Sequence, residues 1–341
     1  MTIKQIKEMI EKDVNYNFLK TNPHLHDKII FLTLGGSYAY GTNVDTSDID
    51  IRGCALNSRS DILGLSSFEQ VVDETTDTTI YAFNKLIKLL MDCNPNTIEM
   101  LGCNPDHYFF VSPEGRQLID NQKLFLSQKA TYSFGGYATA QLRRLENAIA
   151  RDALPQERKE EHIRQSMENM IENFKRKYSD FSYGSISLYT DISQKEELDR
   201  EVFSNINLKS FPAREFNGLL NSLTDVLGCY EKLNKRNRKK DDAHLNKHAM
   251  HLIRLYLMCL DILENEKVVT YREKERDYLL EIRNGKYMNA DGTYKDEFFE
   301  MVNYYEQRLI YAKENTNLPK TPDYHKIEDF VMSINEIAIN K

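Results

Sequence analysis

GGSYAYGTNVDTSDIDIRG, residues 35–53, decides the reading of this chain. An apolar run, IIFLTL from Ile29 to Leu34, leads into it and has the length and composition of a buried strand. Gly35 and Gly36 end that strand and let backbone approach a ligand closely. Ser37 would start a helix, whose free N–H groups favour phosphate. Asp48 to Cys54 then alternates charged and apolar residues, as a half-buried strand does. Residues two apart in a strand face the same side. Asp48 and Asp50 are therefore expected to aim both carboxylates at one point, with Ile49 and Ile51 turned to the core. Two convergent carboxylates suit Mg²⁺, which keeps its other positions for water and phosphate oxygens. One short segment can thus hold a nucleoside triphosphate and the metal that acts on it.

Outward from this segment, residues 3–20 read as an amphipathic helix. Phe68–Val72 and Thr78–Phe83 are further strands. Asn84–Cys93 reads as a helix stopped by Asn94-Pro95-Asn96, with Thr97 as N-cap of a short helix containing Met100 and Leu101. After about residue 125 the character changes. Long charged amphipathic segments follow at 129–152, 157–177, 213–237, 243–265, 272–284 and 294–315, with a short strand at Ser185–Tyr189 among them. The pattern predicts an α+β chain: an α/β head over 1–125 and a mostly helical domain over 126–341.

Composition sets the outer limits. A chain of 341 residues with 41% apolar content can bury a real core, which excludes disorder as the main state. Its net charge of −7 argues against a wholesale nucleic-acid coat and leaves room only for local basic patches. Five cysteines without a close pair argue against a disulfide scaffold or zinc ribbon and fit a reducing, cytoplasmic setting. The start, MTIKQIKEMIEKDV, has no apolar signal-type core. The most apolar helix, around Leu252–Leu263, is broken by Arg254 and Asp261, so no membrane span is expected.

GGS, GT and SDIDIRG resemble the signature of the DNA polymerase β-type nucleotidyltransferase superfamily: a Gly-Ser phosphate grip followed by an Asp-x-Asp metal pair. The closer resemblance is to the RNA repair pathway-associated predicted nucleotidyltransferases. It is carried by CNPNTIEML (Cys93–Leu101), FGGYATAQLRR (Phe134–Arg144), KHAMHLIRLYL (Lys247–Leu257), YLLEIRNGKY (Tyr278–Tyr287) and LPKTPDYHKI (Leu318–Ile327). The resemblance implies a polymerase β-like α/β catalytic head and a helical domain that binds nucleotide and acceptor. It implies Gly36 and Ser37 as the triphosphate grip. It also implies Asp48 and Asp50 as catalytic ligands of a two-metal Mg²⁺ site, with Mn²⁺ as a substitute. The superfamily adds a third carboxylate on a neighbouring strand, which activates the attacking hydroxyl. Asp73, Glu74 and Asp77 compete for that place. Asp77 is preferred because it leads DTTIYAF, where Asp77, Thr79 and Tyr81 share a face opposite Thr78 and Ile80; Asp73 is the runner-up.

A second set of residues lies far along the chain. Lys247, His251 and Arg254 fall at i, i+4 and i+7 and line one helix stripe, with Ala249, Leu252, Ile253 and Tyr256 on another, buried face. Such a basic stripe suits a second, nucleotide-binding jaw for a triphosphate; the plainer reading is a helix whose cations meet solvent or pair with acids. His244, His248 and His251 share a face at zinc-like spacing, but Leu245 stands where a metalloprotease has Glu, and ordinary surface histidines are the better reading. KLNKRNRKK, Lys232–Lys240, holds six basic residues in nine and reads equally as a polynucleotide contact or a solvated helix end.

The expectation is an enzyme that transfers a nucleoside monophosphate from a nucleoside triphosphate to an acceptor hydroxyl, with an RNA end or other polynucleotide as acceptor. Two alternatives accompany it: a template-independent synthase of signal nucleotides or short oligonucleotides in antiviral defence, and a nucleotide-binding regulatory module without turnover.

Overall fold

The computed structural model describes residues 1–340 except 153–171, 173, 175–182, 193–199, 238–241 and 291. It describes backbone alone at 143–144, 146–152, 190–192, 200–201, 228–237 and 242. The chain forms two compact units, Met1–Leu145 with Asp242–Lys341, and Glu146–Asp241. Residue 125 falls inside the first unit. The expected helix over 157–177 lies almost wholly outside the described residues, as does the end of the basic run Lys232–Lys240.

A five-stranded mixed sheet organises the first unit, in the order β3-β4-β2-β1-β5. The strands are β1 (Ile29–Leu34), β2 (Ile51–Ala55), β3 (Gln70–Asp73), β4 (Thr78–Ala82) and β5 (Tyr108–Val111). Only β2 and β4 run parallel; every other pair is antiparallel. IIFLTL is buried on both faces from Ile30 onward, which is why it reads as a continuous apolar run rather than an alternating one. In β4 the alternation is visible: Thr78, Ile80 and Ala82 are buried while Thr79 and Tyr81 are half-buried. Helix α1 (Phe83–Met91) covers the sheet with Phe83, Leu86, Ile87 and Leu90, spaced i, i+3, i+4 and i+7.

The helices after residue 125 follow the expected amphipathic segments closely: α2 (Lys129–Asp152), α3 (Phe216–Asn237), α4 (Asp242–Asn265), α5 (Arg276–Arg283) and α6 (Asp296–Asn315). Helix α4 buries Ala249, Leu252, Ile253 and Tyr256, as its pattern predicts. A further helix, α7 (Tyr324–Asn340), closes the chain. Among the described residues, no helix is long and apolar enough to cross a membrane.

Three local expectations change. The strand expected from Asp48 begins at Ile51. Its partners stop at that level: β1 ends at Leu34, and Asp77 ahead of β4 takes a left-handed φ of 44°. Thr97 is not a cap. Asn94 caps that short helix, its side chain accepting from the Asn96 N–H, and Pro95 takes the first helical position. The N-terminal helix ends at Lys12, where Asp13 turns the chain.

In the first unit a buried arginine pairs with a half-buried aspartate. Arg272 is 2% exposed; it binds Asp261 of α4 and donates from Nη2 to the Val269 carbonyl at 2.6 Å. Removing the guanidinium takes the charge partner from Asp261, which is 22% exposed and still accepts from Asn265 Nδ2, at a cost of about 1–3 kcal/mol. Arg272→Ala should therefore lose about that much stability in urea unfolding, with a lower midpoint and an unchanged slope. A loss under about 1 kcal/mol would make this pair a minor part of the fold.

Candidate active site

The segment 35–53 folds as a turn, a short helix and a strand. Gly36–Tyr40 forms one helical turn after β1, and Gly41 closes it in the left-handed conformation at φ 73°. Gly36 has a φ of 53°, and any Cβ there would collide with Asp50 Oδ2. The position thus demands glycine twice, for its dihedral and for the approach of the carboxylate. The Gly35 N–H donates to the Asp50 carbonyl at 2.8 Å, extending the β1–β2 ladder by one step. Ser37 is half-buried on that turn, directly after Gly36.

Asp50 and Asp77 meet on one cation. The parallel register pairs Ile51 with Thr78, so the residue ahead of each strand stands at the same level. Arg52 Nη2 donates to Asp50 Oδ1 at 2.9 Å and to Asp77 Oδ1 at 3.2 Å. Its Nη1 donates to the Asp77 carbonyl at 2.6 Å. Asp48 is exposed in the extended segment before the strand, so it and Asp50 do not share a strand face. Asp73 is spent elsewhere: its Oδ1 accepts from the Thr76 N–H and hydroxyl, both at 2.9 Å, within the β3–β4 turn. Of the competing third carboxylates, Asp77 is the one beside Asp50.

The charges at this point are unbalanced. Burial pushes the Asp50 carboxyl up to about 6; Arg52 opposes the rise, Asp77 adds to it, and Lys247 of α4 opposes it from across the fold. Lys247 is exposed. His251 is half-buried and Arg254 is 9% exposed, so the expected stripe grades from solvent into the core. Arg254 lies 3.6 Å over the Tyr40 ring, and the Tyr40 hydroxyl donates to Glu99 Oε2 at 2.6 Å. Burial raises the Glu99 carboxyl, with Arg254 holding it down. His248 Nδ1 lies 2.9 Å from Gln141 Oε1, consistent with an ordinary helix histidine.

The loop after the glycines is held by cations from the far end of the chain. Arg276 Nε donates to the Gly41 carbonyl at 2.8 Å, and Arg283 Nη1 to the Thr42 carbonyl at 2.7 Å. The Arg272 N–H donates to the Tyr40 carbonyl at 3.1 Å. Sequence reading passed over Arg52, Tyr40 and Glu99. Arg52 carried a signal, since it stands two residues after Asp50. Glu99 carried one too, as a lone acid in the apolar run TIEML.

Among the described residues, no three His, Cys, Asp or Glu side chains stand close enough together to hold a metal ion. Asp50 and Asp77 nevertheless offer oxygen donors around a place already filled by a guanidinium's positive charge. That donor set fits Mg²⁺, which needs only one or two carboxylates when water and phosphate complete its shell.

Residues 7–173 match the family model of the RNA repair pathway DNA polymerase beta family, RlaP. The matched segment is similar to that family. No curated protein and no solved structure matches the chain. The RlaP segment contains Gly36, Ser37, Asp48, Asp50, Arg52, Asp77 and Glu99; Lys247, His251, Arg254 and Arg283 lie beyond it. This match supports a nucleotidyltransferase.

The raised Asp50 value has a signed consequence in metal-free buffer. A carboxyl that binds its proton more tightly when folded stabilises the protein below its unfolded value, and that stability is lost as pH rises to about 6. Asp50→Asn removes the dependence. Relative to wild type, the variant should gain on the order of 2 kcal/mol between pH 4 and pH 7. Urea melts at both pH values check this, and a pH-independent difference would remove burial as the cause.

Proposed function

We propose that this chain is a divalent-metal-dependent nucleotidyltransferase that moves a nucleoside monophosphate from a nucleoside triphosphate to an acceptor hydroxyl at an RNA end. One observation carries the reading: in the RlaP-matched segment, Asp50 and Asp77 converge on a single cation beside the Gly36–Ser37 turn. The RNA repair wording of the family description supports RNA as acceptor.

In this reading Asp50 and Asp77 would hold Mg²⁺, and Asp48, exposed ahead of the strand, is the further ligand that the family resemblance implies. Bound there, Mg²⁺ would neutralise triphosphate charge and acidify the acceptor hydroxyl. Asp77 takes the proton from that hydroxyl at a carboxylate oxygen. The new bond forms between the acceptor oxygen and the α-phosphorus, the bond from that phosphorus to the bridging oxygen breaks, and pyrophosphate leaves. Gly36 and Ser37 present backbone N–H groups to the phosphates. Lys247 offsets the negative charge that the carboxylates direct at an incoming triphosphate. Arg254 and His251 support the same helix face from deeper in the fold. Arg52 is the resident counter-ion between Asp50 and Asp77, whose place a metal would take.

Asp48→Ala and Asp50→Ala should abolish pyrophosphate release from labelled triphosphate with Mg²⁺. Asp77→Asn should keep triphosphate binding and lose turnover, while Asp73→Asn is mild. If Asp73→Asn is the dead variant and Asp77→Asn turns over normally, the third carboxylate is misassigned. No pyrophosphate from wild type under any condition would favour a regulatory module. Product without added RNA would favour a synthase of free oligonucleotides.

Lys247→Ala should weaken triphosphate binding roughly tenfold, the usual effect of losing a charge-assisted contact to phosphate. The loss should shrink as salt rises, because the side chain is exposed. Titration calorimetry with triphosphate and with uncharged nucleoside separates the two: an equal loss for both would assign Lys247 a role in shape rather than charge.

A further inference from the structure

The second unit holds a surface that the proposed chemistry leaves unused. Its strands β6 (Gly184–Ile192) and β7 (Arg200–Leu208) form an antiparallel hairpin with a register that pairs Ser185 with Asn207, Ser187 with Asn205 and Tyr189 with Phe203. The two faces differ sharply. Ile186, Leu188, Val202 and Leu208 turn inward onto Phe174, Leu219, Leu223 and Val226, which gives the unit its core. The other face carries Ser185, Ser187, Tyr189, Phe203, Asn205 and Asn207, by the alternation of a strand.

That outer face is open and chemically specific. Ser185, Ser187, Tyr189, Asn205 and Asn207 are exposed, Tyr189 at 43%. The Tyr189 and Phe203 rings stack at 5.8 Å between centroids and 25° between planes. The ladder continues through the Lys209 N–H to the Tyr183 carbonyl at 2.6 Å, which places exposed Lys209 on the same face. The six residues named on this face are uncharged, and the next registered pair along it is Asp191 with Glu201. An open aromatic stack, a row of hydroxyl and amide groups, and a cation at one end match what single-stranded nucleic acid offers: base faces to stack on, base edges to hydrogen-bond, and phosphate. The three registered pairs span about 13 Å of strand, room for two or three nucleotides. A negatively charged strand also complements Lys209.

We propose that the outer face of the β6–β7 hairpin is a docking surface for single-stranded RNA, the acceptor strand; this rests on the proposed function above. Stacking is sequence-tolerant, so the surface reads strandedness rather than base identity.

The test is fluorescence anisotropy of the full chain with a labelled single-stranded RNA oligonucleotide in EDTA, so that no turnover occurs. Tyr189→Ala should weaken binding roughly tenfold or more, with an unchanged salt slope, and Tyr189→Phe should restore it. Lys209→Ala should weaken binding and flatten the salt slope. Because the Tyr189–Phe203 pair also supports the hairpin, Asn205→Ala with Asn207→Ala is the second variant: weaker binding at an unchanged melting temperature is expected. Equal affinity for wild type and both outer-face variants would overturn the proposal, as would tighter binding of duplex than of single strand. Pyrophosphate release is measured in parallel. RNA-stimulated release with an unaltered KM for RNA in Tyr189→Ala would sink the docking surface and leave the enzyme reading standing. RNA binding that depends on Tyr189, with no pyrophosphate under any condition, would support the surface and remove the enzyme reading.

Discussion

One constraint organises the head of this protein: β2 and β4 run parallel and start at the same level. Every other strand pair in the sheet is antiparallel, so only here do two strand entrances lie side by side. The residues just ahead of those entrances are Asp50 and Asp77. Two carboxylates at that spacing repel, and burial sharpens the repulsion by removing water. Arg52 relieves it by donating to both. Gly36 completes the arrangement, because only a residue without Cβ lets the Asp50 carboxylate lie against the turn. The phosphate-type turn and the acidic pair are therefore one object, built by a strand register.

That object is not made by the head alone. The carbonyls of Tyr40, Gly41 and Thr42 accept from Arg272, Arg276 and Arg283, which come from a segment far later in the chain. Such carbonyls would otherwise need water or helix continuation. Their capture by guanidinium and backbone donors fixes where the turn ends and which way its N–H groups point. These bonds tie residues 1–145 to 242–341 within one compact unit. The intervening unit is held to its own core by Phe174, Ile186, Leu188 and Leu219.

The acidic segment was legible because strand alternation and glycine both leave marks in sequence. IIFLTL comes from its length and composition, the GGS turn from its glycines and the choice of Asp77 over Asp73 from period-2 reasoning, and the structure brings Asp77 to Asp50. Where the reading missed, the cause was partner geometry. Asp48 looks like strand by alternation, yet a strand needs neighbours, and both neighbours end at Ile51's level. β5 and β7 were missed because YFFV is too short to show a period and REVFSNINL mixes charge with apolar residues on both parities. Arg254 was read as part of a surface stripe from spacing alone. Spacing gives the angle around a helix and says nothing of the depth of what packs against it, which here is Tyr40.

The charged groups of the first unit fall into two tiers with different physical duties. Asp77 and Lys247 are exposed and Asp50 and Arg52 half-buried, and their pairing is soft: Arg52 serves two carboxylates at once and Lys247 acts only at a distance. Soft pairing is what a site needs if a charged ligand is to replace the resident partner without unfolding anything. Glu99, Tyr40 and Arg254 are buried, and their pairing is tight: a 2.6 Å hydrogen bond and a guanidinium 3.6 Å over a ring. A buried charge cannot exchange partners cheaply, because each one exposed to an apolar wall loses its solvation without return. The buried tier therefore holds the turn rigid through Tyr40, and the exposed tier is left free to rearrange above it. Rigidity beneath and exchangeable charge above are the two conditions for placing a polyphosphate to within a fraction of an ångström while still admitting it from water.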